Sequence, residues 1–195
     1  MKRLGILLSG RGSNFVAIAD AQLDAEIAIV ISNRQEAPGI TSARDRGLHA
    51  VVLPSRGVDR ETYDAQLSAA LDEASVDLIC LAGYMRLLSP AFISRYPQRI
   101  LNIHPSLLPA FPGLHAHRDA LIHGAKISGC TVHFVDEGLD SGPIIQQAAV
   151  PVLNNDTEAT LAARILKEEH RIYSQAIALV LSGKFRIEGR RVVGS

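Results

Sequence analysis

The fold is decided at residues 76–83, which have the sequence VDLICLAG. Apart from Asp77 and the closing Gly83, every residue in this stretch is apolar. A strand buried on one face alternates apolar and polar residues, whereas an apolar run throughout is typical of a parallel sheet covered on both faces. Similar runs occur in LGILLSG (4–10), EIAIVIS (26–32), HAVVLP (49–54) and RILNIHP (99–105). We therefore predict a core of buried, parallel strands.

Helical segments separate these strands. Residues 59–74 and 89–96 have helical composition, and Pro38 suits the first turn of another helix. Strands that alternate with helices predict an α/β, Rossmann-like fold, with a largely parallel twisted sheet and helices on both faces. The pattern changes after Pro105, where we expect an antiparallel C-terminal extension. Strands are predicted at residues 126–138 and 143–152, and residues 185–193 are predicted to form a terminal strand or arm.

A long helix is expected from Asn155 to Ser182. Asn155 and Glu158 have the spacing of a capping box, and Gly183 suits a C-terminal stop. No repeat, low-complexity tract or linker interrupts the chain. We therefore predict a single domain over residues 1–195, with a first half of about 1–100 and a second half of about 101–195.

Composition and charge argue against several classes of protein. The chain has 195 residues, of which 47% are apolar and 21% are charged, as in ordinary globular proteins. Its 20 basic and 20 acidic side chains cancel, so we expect no nucleic-acid partner and no membrane partner. The first apolar run is too short for a signal peptide, and no run approaches the roughly 20 residues of a membrane span. We expect a cytoplasmic protein in which Cys80 and Cys130 are buried thiols.

The first candidate site is the stretch SGRGSN at residues 9–14, where the first strand meets the next helix. Glycines let the backbone approach a ligand, and amides at a helix N-terminus attract phosphate. The stretch is not a Walker loop, because no Lys-Ser/Thr pair follows at the required spacing. It is not a dinucleotide fingerprint either, because Phe15 stands at the third glycine position. A phosphate site and a tight turn with Ser13 or Asn14 capping the helix both remain open.

The second candidate site is formed by Asn102 and His104, which lie two residues apart in a predicted strand. Side chains alternate along a strand, so both project from the same face, and Pro105 should end the strand there. An amide can donate to a developing oxyanion, and an imidazole can move a proton near neutral pH. The pair therefore suits acyl transfer, although a lone buried histidine is often structural.

The third candidate site is the acidic loop DEGLDSG at residues 136–142. It is either a solvated turn or a loop whose Asp140 reaches His104 and favours the protonated imidazole. Glu168 and Glu169 flank the apolar stripe of the long helix, and one of them could face a cavity. His115 and His117 suggest metal ligands, but HExxH and CxxC patterns are absent from the sequence, and we predict no metal.

Four motifs together resemble the phosphoribosylglycinamide formyltransferases, a family of folate-dependent formyltransferases of purine synthesis. The motifs are SGRGSN, LAGYMRLLSP, ILNIHPSLLPAFPGLHAH and TVHFVDEGLDSGPII. The resemblance implies 10-formyltetrahydrofolate as the donor, phosphoribosylglycinamide as the acceptor, and small molecules as the only partners of a monomer or homodimer. It also implies that the first half binds the phosphate and that the second half is catalytic and binds the folate.

The resemblance implies roles for individual residues. The implied catalytic residues are Asn102, His104 and Asp140. The residues implied to bind the acceptor are Gly12, Ser13, Asn14, Gly83, Pro105 and Glu169. Those implied to bind the folate are Arg60, Met85, Arg86, Leu87, Leu88 and Asn102. The role of Arg11, towards phosphate or solvent, stays open, as do those of His115, His117 and His133.

Two other functions fit parts of the same sequence. A formyltetrahydrofolate hydrolase would use the same three catalytic residues with water as the acceptor. A non-catalytic nucleotide-binding module would need only the loop at residues 9–14, and its histidines would be structural. An assay without the acceptor distinguishes a transferase from the hydrolase, because a transferase should then release little formate. A binding module would bind the ribonucleotide but show no dependence on formyl-folate.

Overall fold

Strands and helices alternate along the computed structural model, which describes residues 1–194. The chain divides into two compact units, Met1–Leu101 and Asn102–Ser195. The predicted single domain, with halves near residue 100, stays a prediction.

The first unit is a parallel α/β structure. Its strands are β1 (Lys2–Leu8), β2 (Ala25–Ser32), β3 (Ala50–Val52) and β4 (Leu78–Leu81). Its helices are α1 (Ser13–Asp20), α2 (Pro38–Asp45), α3 (Arg60–Glu73) and α4 (Pro90–Arg95). The strands lie in the order β3-β2-β1-β4, and each pair of neighbours is parallel. The carboxyl ends of all four strands therefore meet at one edge, where ligands bind in open α/β sheets.

Burial explains why the strands of this unit do not alternate apolar and polar residues, as the strands of a half-exposed sheet do. All four residues of β4 are buried, as are the five residues from Leu4 to Leu8 in β1. Phe15 of α1 and Tyr63 of α3 are fully buried as well. Burying such apolar side chains contributes about 1.5–3 kcal/mol each. The apolar runs of the sequence therefore mark strands inside the core.

The second unit carries the antiparallel extension. Its strands are β5 (Ile100–His104), which spans the boundary residue, β6 (Ile127–Phe134), β7 (Ile144–Pro151), β8 (Phe185–Glu188) and β9 (Arg191–Gly194). Its helices are α5 (Ala116–Ile122) and α6 (Glu158–Ser182). The order is β5-β6-β7-β9-β8, with β6–β7 and β8–β9 antiparallel and β7–β9 parallel. The predicted α/β fold with an antiparallel C-terminal extension is confirmed.

Two local expectations need correction in this unit. The predicted terminal strand at 185–193 is a hairpin, because Gly189 adopts a φ of +63° and reverses the chain between β8 and β9. The capping box of α6 is formed by Thr157 and Thr160, three residues apart, and not by Asn155 and Glu158. The reason is local, because Asp156 accepts from Leu153 N–H at 2.7 Å and so forms a turn before the helix.

A helix that spans a membrane must be long and almost entirely apolar. Among residues 1–194, none of the helices combines the necessary length with sufficient apolar character. The longest helix, α6, has buried residues along one stripe, including Leu161, Ile165, Ile172 and Ala176. Its opposite side carries charged residues such as Lys167 and Arg171. This amphipathic pattern is typical of a helix that packs on a sheet.

Candidate active site

Strand β5 presents Asn102 and His104 on the same face. The residues between and before them, Ile103, Leu101 and Ile100, are buried apolar side chains. Alternation along the strand therefore directs the amide and the imidazole to one side, as the spacing predicts. His104 is itself buried, so both of its ring nitrogens need partners.

The two ring nitrogens of His104 both face oxygen acceptors. Nε2 lies 2.8 Å from the Phe111 carbonyl, and Nδ1 lies 3.4 Å from Asp140 Oδ2. The ring therefore lies between a backbone carbonyl and a carboxylate. Of the two possibilities for the acidic loop, the structure shows the one in which Asp140 reaches His104.

Asp140 is held in place by its own loop. Its Oδ2 accepts from Gly113 N–H at 2.8 Å, and its backbone adopts a φ of +49°, which aspartate tolerates better than most residues. Earlier in the loop, Asp136 Oδ1 accepts from Gly138 N–H at 3.1 Å and from the Ser141 hydroxyl at 2.6 Å. The carboxylate of Asp140 is thus fixed by backbone geometry as well as by contacts.

Gly142 closes this loop against β6. A Cβ at this position would lie 1.8 Å from the Phe134 carbonyl oxygen, so any larger residue would displace the backbone. Pro143 O also accepts from Phe134 N–H at 2.9 Å. Glycine is therefore required here for a close approach of two main chains.

His133 on β6 orients the amide of Asn102. Its Nδ1–H donates to the Phe134 carbonyl at 2.9 Å, which leaves Nε2 as an acceptor. Asn102 Nδ2 lies 3.3 Å from that Nε2, so the amide donates one N–H to His133. Burial lowers the pKa of His133 and favours the neutral ring that this bond requires. The second N–H of Asn102 is not used by His133.

The sequence left the role of His133 open, although it carries a usable signal. Thr131 and His133 are polar residues two apart in strand β6, the same spacing as Asn102 and His104. The Thr131 hydroxyl donates to the Ser106 carbonyl at 2.7 Å and accepts from Leu108 N–H at 3.1 Å. Strand β6 therefore supports both Asn102 and the segment that follows β5.

The other histidines of the middle region differ in their surroundings. His117 on α5 is partly buried, and this burial lowers its pKa despite the opposing influence of Glu158. His115, just before the helix, is exposed. Within residues 1–194, the structure contains no cluster of three His, Cys, Asp or Glu side chains that could hold a metal ion.

The SGRGSN stretch forms a backbone turn and not a side-chain cap. Gly12, which has no side chain, is the N-cap of α1 with a φ of +77°. A Cβ on Gly12 would lie 2.8 Å from Gly39 Cα, and Gly39 N–H donates to Gly10 O at 3.1 Å. The capping alternative for Ser13 and Asn14 is therefore wrong. The α1 N-terminus has the polarity that attracts an anion.

The segment after β4 presents apolar side chains outward. Met85 is 58% exposed and Leu87 is 61% exposed, whereas Tyr84 and Leu88 are buried. The Arg86 guanidinium donates to backbone carbonyls and lies over the Tyr63 ring, 4.6 Å from its centroid. Exposed apolar side chains on an ordered segment are typical of ligand-binding surfaces.

The remaining predicted site residues lie in different surroundings. Arg60 is the exposed first residue of α3, Gly83 has a φ of +73°, and Pro105 follows β5 directly. Glu169 on α6 is buried, whereas Glu168 is paired with Arg171 on the surface. The expectation that one of the two glutamates turns inward therefore applies to Glu169. The ligand roles of all these residues stay predictions.

Comparisons with known proteins identify one family. The formyl transferase family model matches residues 2–177. Phosphoribosylglycinamide formyltransferase of Escherichia coli K12 is 44% identical over 187 residues, which cover 93% of this chain and 88% of that protein. The crystal structure of glycinamide ribonucleotide transformylase 1 from Symbiobacterium toebii matches with a TM-score of 0.97 and 52% identity, and the match covers 100% of this chain and 94% of that one.

A longer relative contains a similar segment. Trifunctional purine biosynthetic protein adenosine-3 of Drosophila melanogaster is 48% identical over 189 residues, which cover 93% of this chain. The match accounts for 14% of that protein, so the chain spans about a seventh of the length of this relative.

Proposed function

The chain belongs to the phosphoribosylglycinamide formyltransferases of the formyl transferase family, and on this premise we propose the reaction that it catalyses. It transfers the formyl group of 10-formyltetrahydrofolate to the amine of 5'-phosphoribosylglycinamide and produces formylglycinamide ribonucleotide for de novo purine synthesis. The observation that carries this proposal is that Asp140 lies 3.4 Å from His104 and 3.8 Å from His133, and that His133 is in turn hydrogen-bonded to Asn102.

The reaction proceeds by direct attack of the acceptor amine on the formyl carbon. A bond forms between the amine nitrogen and this carbon, the formyl oxygen becomes an oxyanion, and the bond to the folate nitrogen N10 then breaks. The amine proton is transferred to N10. Among the described residues, His104 is paired with Phe111 and Asp140 and with no serine or cysteine, which supports direct attack over a covalent intermediate.

Asn102 donates to the oxyanion. His133 takes one N–H of its amide and thereby fixes the orientation of the other, which is available to the formyl oxygen. A donor that is already oriented needs no reorganisation when charge develops, and removing one such donor typically lowers kcat by about 10²–10³. His133 is thus a positioning residue that acts through Asn102.

His104 supplies the second donor and moves the proton. Asp140 pairs with Nδ1 and supports the imidazolium, so Nε2–H is the group that can reach the substrate. In this structure Nε2–H donates to the Phe111 carbonyl. We infer that the formyl oxygen replaces Phe111 as its partner when the substrates bind, and that the proton then passes to N10 through His104 or a water.

The binding roles follow the family pattern. The backbone amides of Gly12, Ser13 and Asn14 at the start of α1 hold the acceptor phosphate, and Gly83, Pro105 and Glu169 contact the rest of the acceptor. Arg60, Asn102 and the segment Met85–Leu88 bind the folate. Exposed Met85 and Leu87 suit its apolar rings, and Arg60 suits its anionic tail. Holding two reactants in one geometry itself contributes several kcal/mol to the rate.

The finer expectations about the whole protein are part of this proposal. Formyl-folate is a co-substrate, both substrates are small molecules, and the reaction uses no metal. A cytoplasmic location follows from the balanced charge and the short apolar runs of the sequence. A monomer or a homodimer is expected, and sedimentation equilibrium distinguishes them.

A spectrophotometric assay of folate turnover tests the proposal. We expect turnover with both substrates and almost none when either is omitted. Turnover without the acceptor, with release of formate, would identify a hydrolase. Binding of the ribonucleotide without any dependence on formyl-folate would identify a binding module and contradict the proposal.

A further inference from the structure

A closed circuit of hydrogen bonds connects the loops after four neighbouring strands of the first unit. The Ser9 hydroxyl donates to Asn33 Oδ1 at 2.5 Å and accepts from Met85 N–H at 2.8 Å. Asn33 Nδ2 donates to Ser55 Oγ at 3.2 Å, and the Ser55 carbonyl accepts from the Arg86 guanidinium at 3.3 Å. Because Arg86 directly follows Met85, the circuit closes on itself.

The circuit lies where the parallel strands end. Ser9 follows β1, Asn33 follows β2, Ser55 lies after β3, and Met85 and Arg86 lie after β4. Ser9 and Asn33 are buried, so their side chains bond to each other and not to bulk water. Buried polar groups that lose a partner are costly, so every bond of the circuit resists rearrangement.

The Arg86 side chain makes several contacts within the protein. Besides Ser55 O it donates to Val58 O at 3.0 Å, and its guanidinium lies 4.6 Å from the centroid of the Tyr63 ring. A planar guanidinium that bridges two carbonyls and stacks on an aromatic ring has little freedom to reach a ligand. Its effect on the folate must therefore be indirect.

The circuit fixes the main chain of the segment that we assign to the folate. Met85 N–H is held by Ser9, and the next residue is held by its side chain to the loop after β3. At the first anchor and just after the second, the chain presents Met85 and Leu87 outward, and more than half of each residue is exposed. An apolar binding surface with a fixed backbone loses less entropy on binding than a mobile one.

We propose that Ser9, Asn33 and Arg86 are positioning residues for the folate, and that their side chains hold the main chain of the segment Met85–Leu88 through this circuit without themselves contacting the folate. The inference rests on the proposed function, because the folate segment is defined by it. It assigns to Ser9 and Asn33 a role in folate affinity and changes that of Arg86 from direct contact to support.

Steady-state kinetics of Ser9→Ala, Arg86→Met and the double variant test the inference. Ser9→Ala leaves Met85 N–H and Asn33 Oδ1 without their partner, and we expect the folate KM to rise about tenfold. We expect kcat and the acceptor KM to change less than threefold. Because both substitutions release the same segment, the double variant should raise the folate KM little more than Arg86→Met alone.

A direct contact between Arg86 and the folate gives a different pattern. The increases in folate KM caused by the two substitutions would then multiply in the double variant. The increase caused by Arg86→Met would also disappear with a formyl-folate that lacks the anionic glutamate tail. Either result overturns the inference. So does a folate KM for Ser9→Ala within twofold of wild type, and Arg86→Met gives the same test if Ser9→Ala does not fold.

Two controls separate this inference from general destabilisation and from the proposed function. Thr157→Ala removes the N-cap of α6 and so lowers stability, but it should leave the folate KM unchanged. A wild-type protein without formyl transfer contradicts the proposed function and the inference together. A wild-type protein that transfers formyl, with variants that match it, contradicts the inference alone.

Discussion

At the scale of single residues, the spacing of polar groups in apolar strands carries most of the information about the site. Asn102 and His104 were found from their separation of two positions, because strand geometry alone places them on one face. The contact of Asp140 with His104 could not be derived in this way, since it depends on how a distant loop folds back. His133 shows the same spacing relative to Thr131, but only the structure reveals that its free nitrogen faces the Asn102 amide.

Replacing Asn102 should slow formyl transfer without weakening substrate binding. We expect Asn102→Ala to lower kcat by about 10²–10³, because the oxyanion loses an oriented donor, while the acceptor KM changes less than threefold. Gln146→Ala is a suitable control, since Gln146 bonds only to the exposed Gln175 among the described contacts and should leave kcat unchanged. Comparable kcat values for the two variants would show that the Asn102 amide does not act on the formyl oxygen.

The buried histidines make stability depend on pH. Burial lowers the pKa of His133 below its ordinary value of 6.5, so the unfolded chain binds this proton more readily than the folded one. The stabilisation is therefore complete above pH 6.5 and is lost as the pH falls through the folded pKa, at a rate of about 1.4 kcal/mol per pH unit. Urea unfolding at pH 7.5 and 5.5 should show this decrease.

A pair of histidine variants identifies the source of this dependence. His133→Gln should have a shallower decrease in unfolding free energy between the two pH values, with a remainder from His117 and His170, whose pKa values burial also lowers. The exposed His49 is the control, and His49→Gln should keep the slope of wild type. Identical slopes for both variants would exclude His133 as the source.

At the scale of helices and strands, the sequence pattern predicted the buried strands correctly but misplaced the start of a helix. The apolar runs identified β1 to β5 because burial on both faces excludes polar residues. The N-terminus of α6 was misplaced because several residues near it have capping side chains. Asp156 forms the preceding turn and pairs with Arg164 at 2.7 Å, which leaves Thr157 as the cap. Such a choice depends on neighbours that a local pattern does not include.

Two glycines with similar backbone angles test the packing of the first loop. Gly12 and Gly47 have φ values of +77° and +71°, so alanine is strained at both positions. A Cβ at Gly12 would also lie 2.8 Å from Gly39 Cα, whereas a Cβ at Gly47 meets open space. We expect Gly12→Ala to raise the acceptor KM at least tenfold and to be the less stable variant. Equal acceptor KM values for the two would contradict the role of this turn in phosphate binding.

At the scale of the whole molecule, both cysteines are buried, so the rate at which they react with a thiol reagent measures unfolding of the protein. Cys80 and Cys130 are fully buried, and burial raises the pKa of the Cys130 thiol to about 12. Since the thiolate is the reactive form, a thiol reagent at pH 8 should modify neither cysteine in the folded protein and both in 6 M guanidinium. Rapid modification without denaturant would contradict the packing described for β4 and β6.

The fold class was accessible from the sequence, but the neighbours of each strand were not. Hydropathy distinguishes a buried strand from an exposed one, yet it does not say that β1 lies between β2 and β4. That order brings Ser9, Asn33 and Met85 together. The circuit that supports the folate segment therefore could not be predicted from sequence motifs. Conversely, the candidate site on β5 needed only one strand and could be predicted.

The alternation along β5 also constrains how this protein can be altered by insertion and deletion. Adding one residue between Asn102 and His104 would rotate one of the two side chains to the opposite face of the sheet, even though every functional group would still be encoded. The interval between the two residues is therefore as important as their identity. Any grafted or shuffled version of this stretch must therefore keep its length.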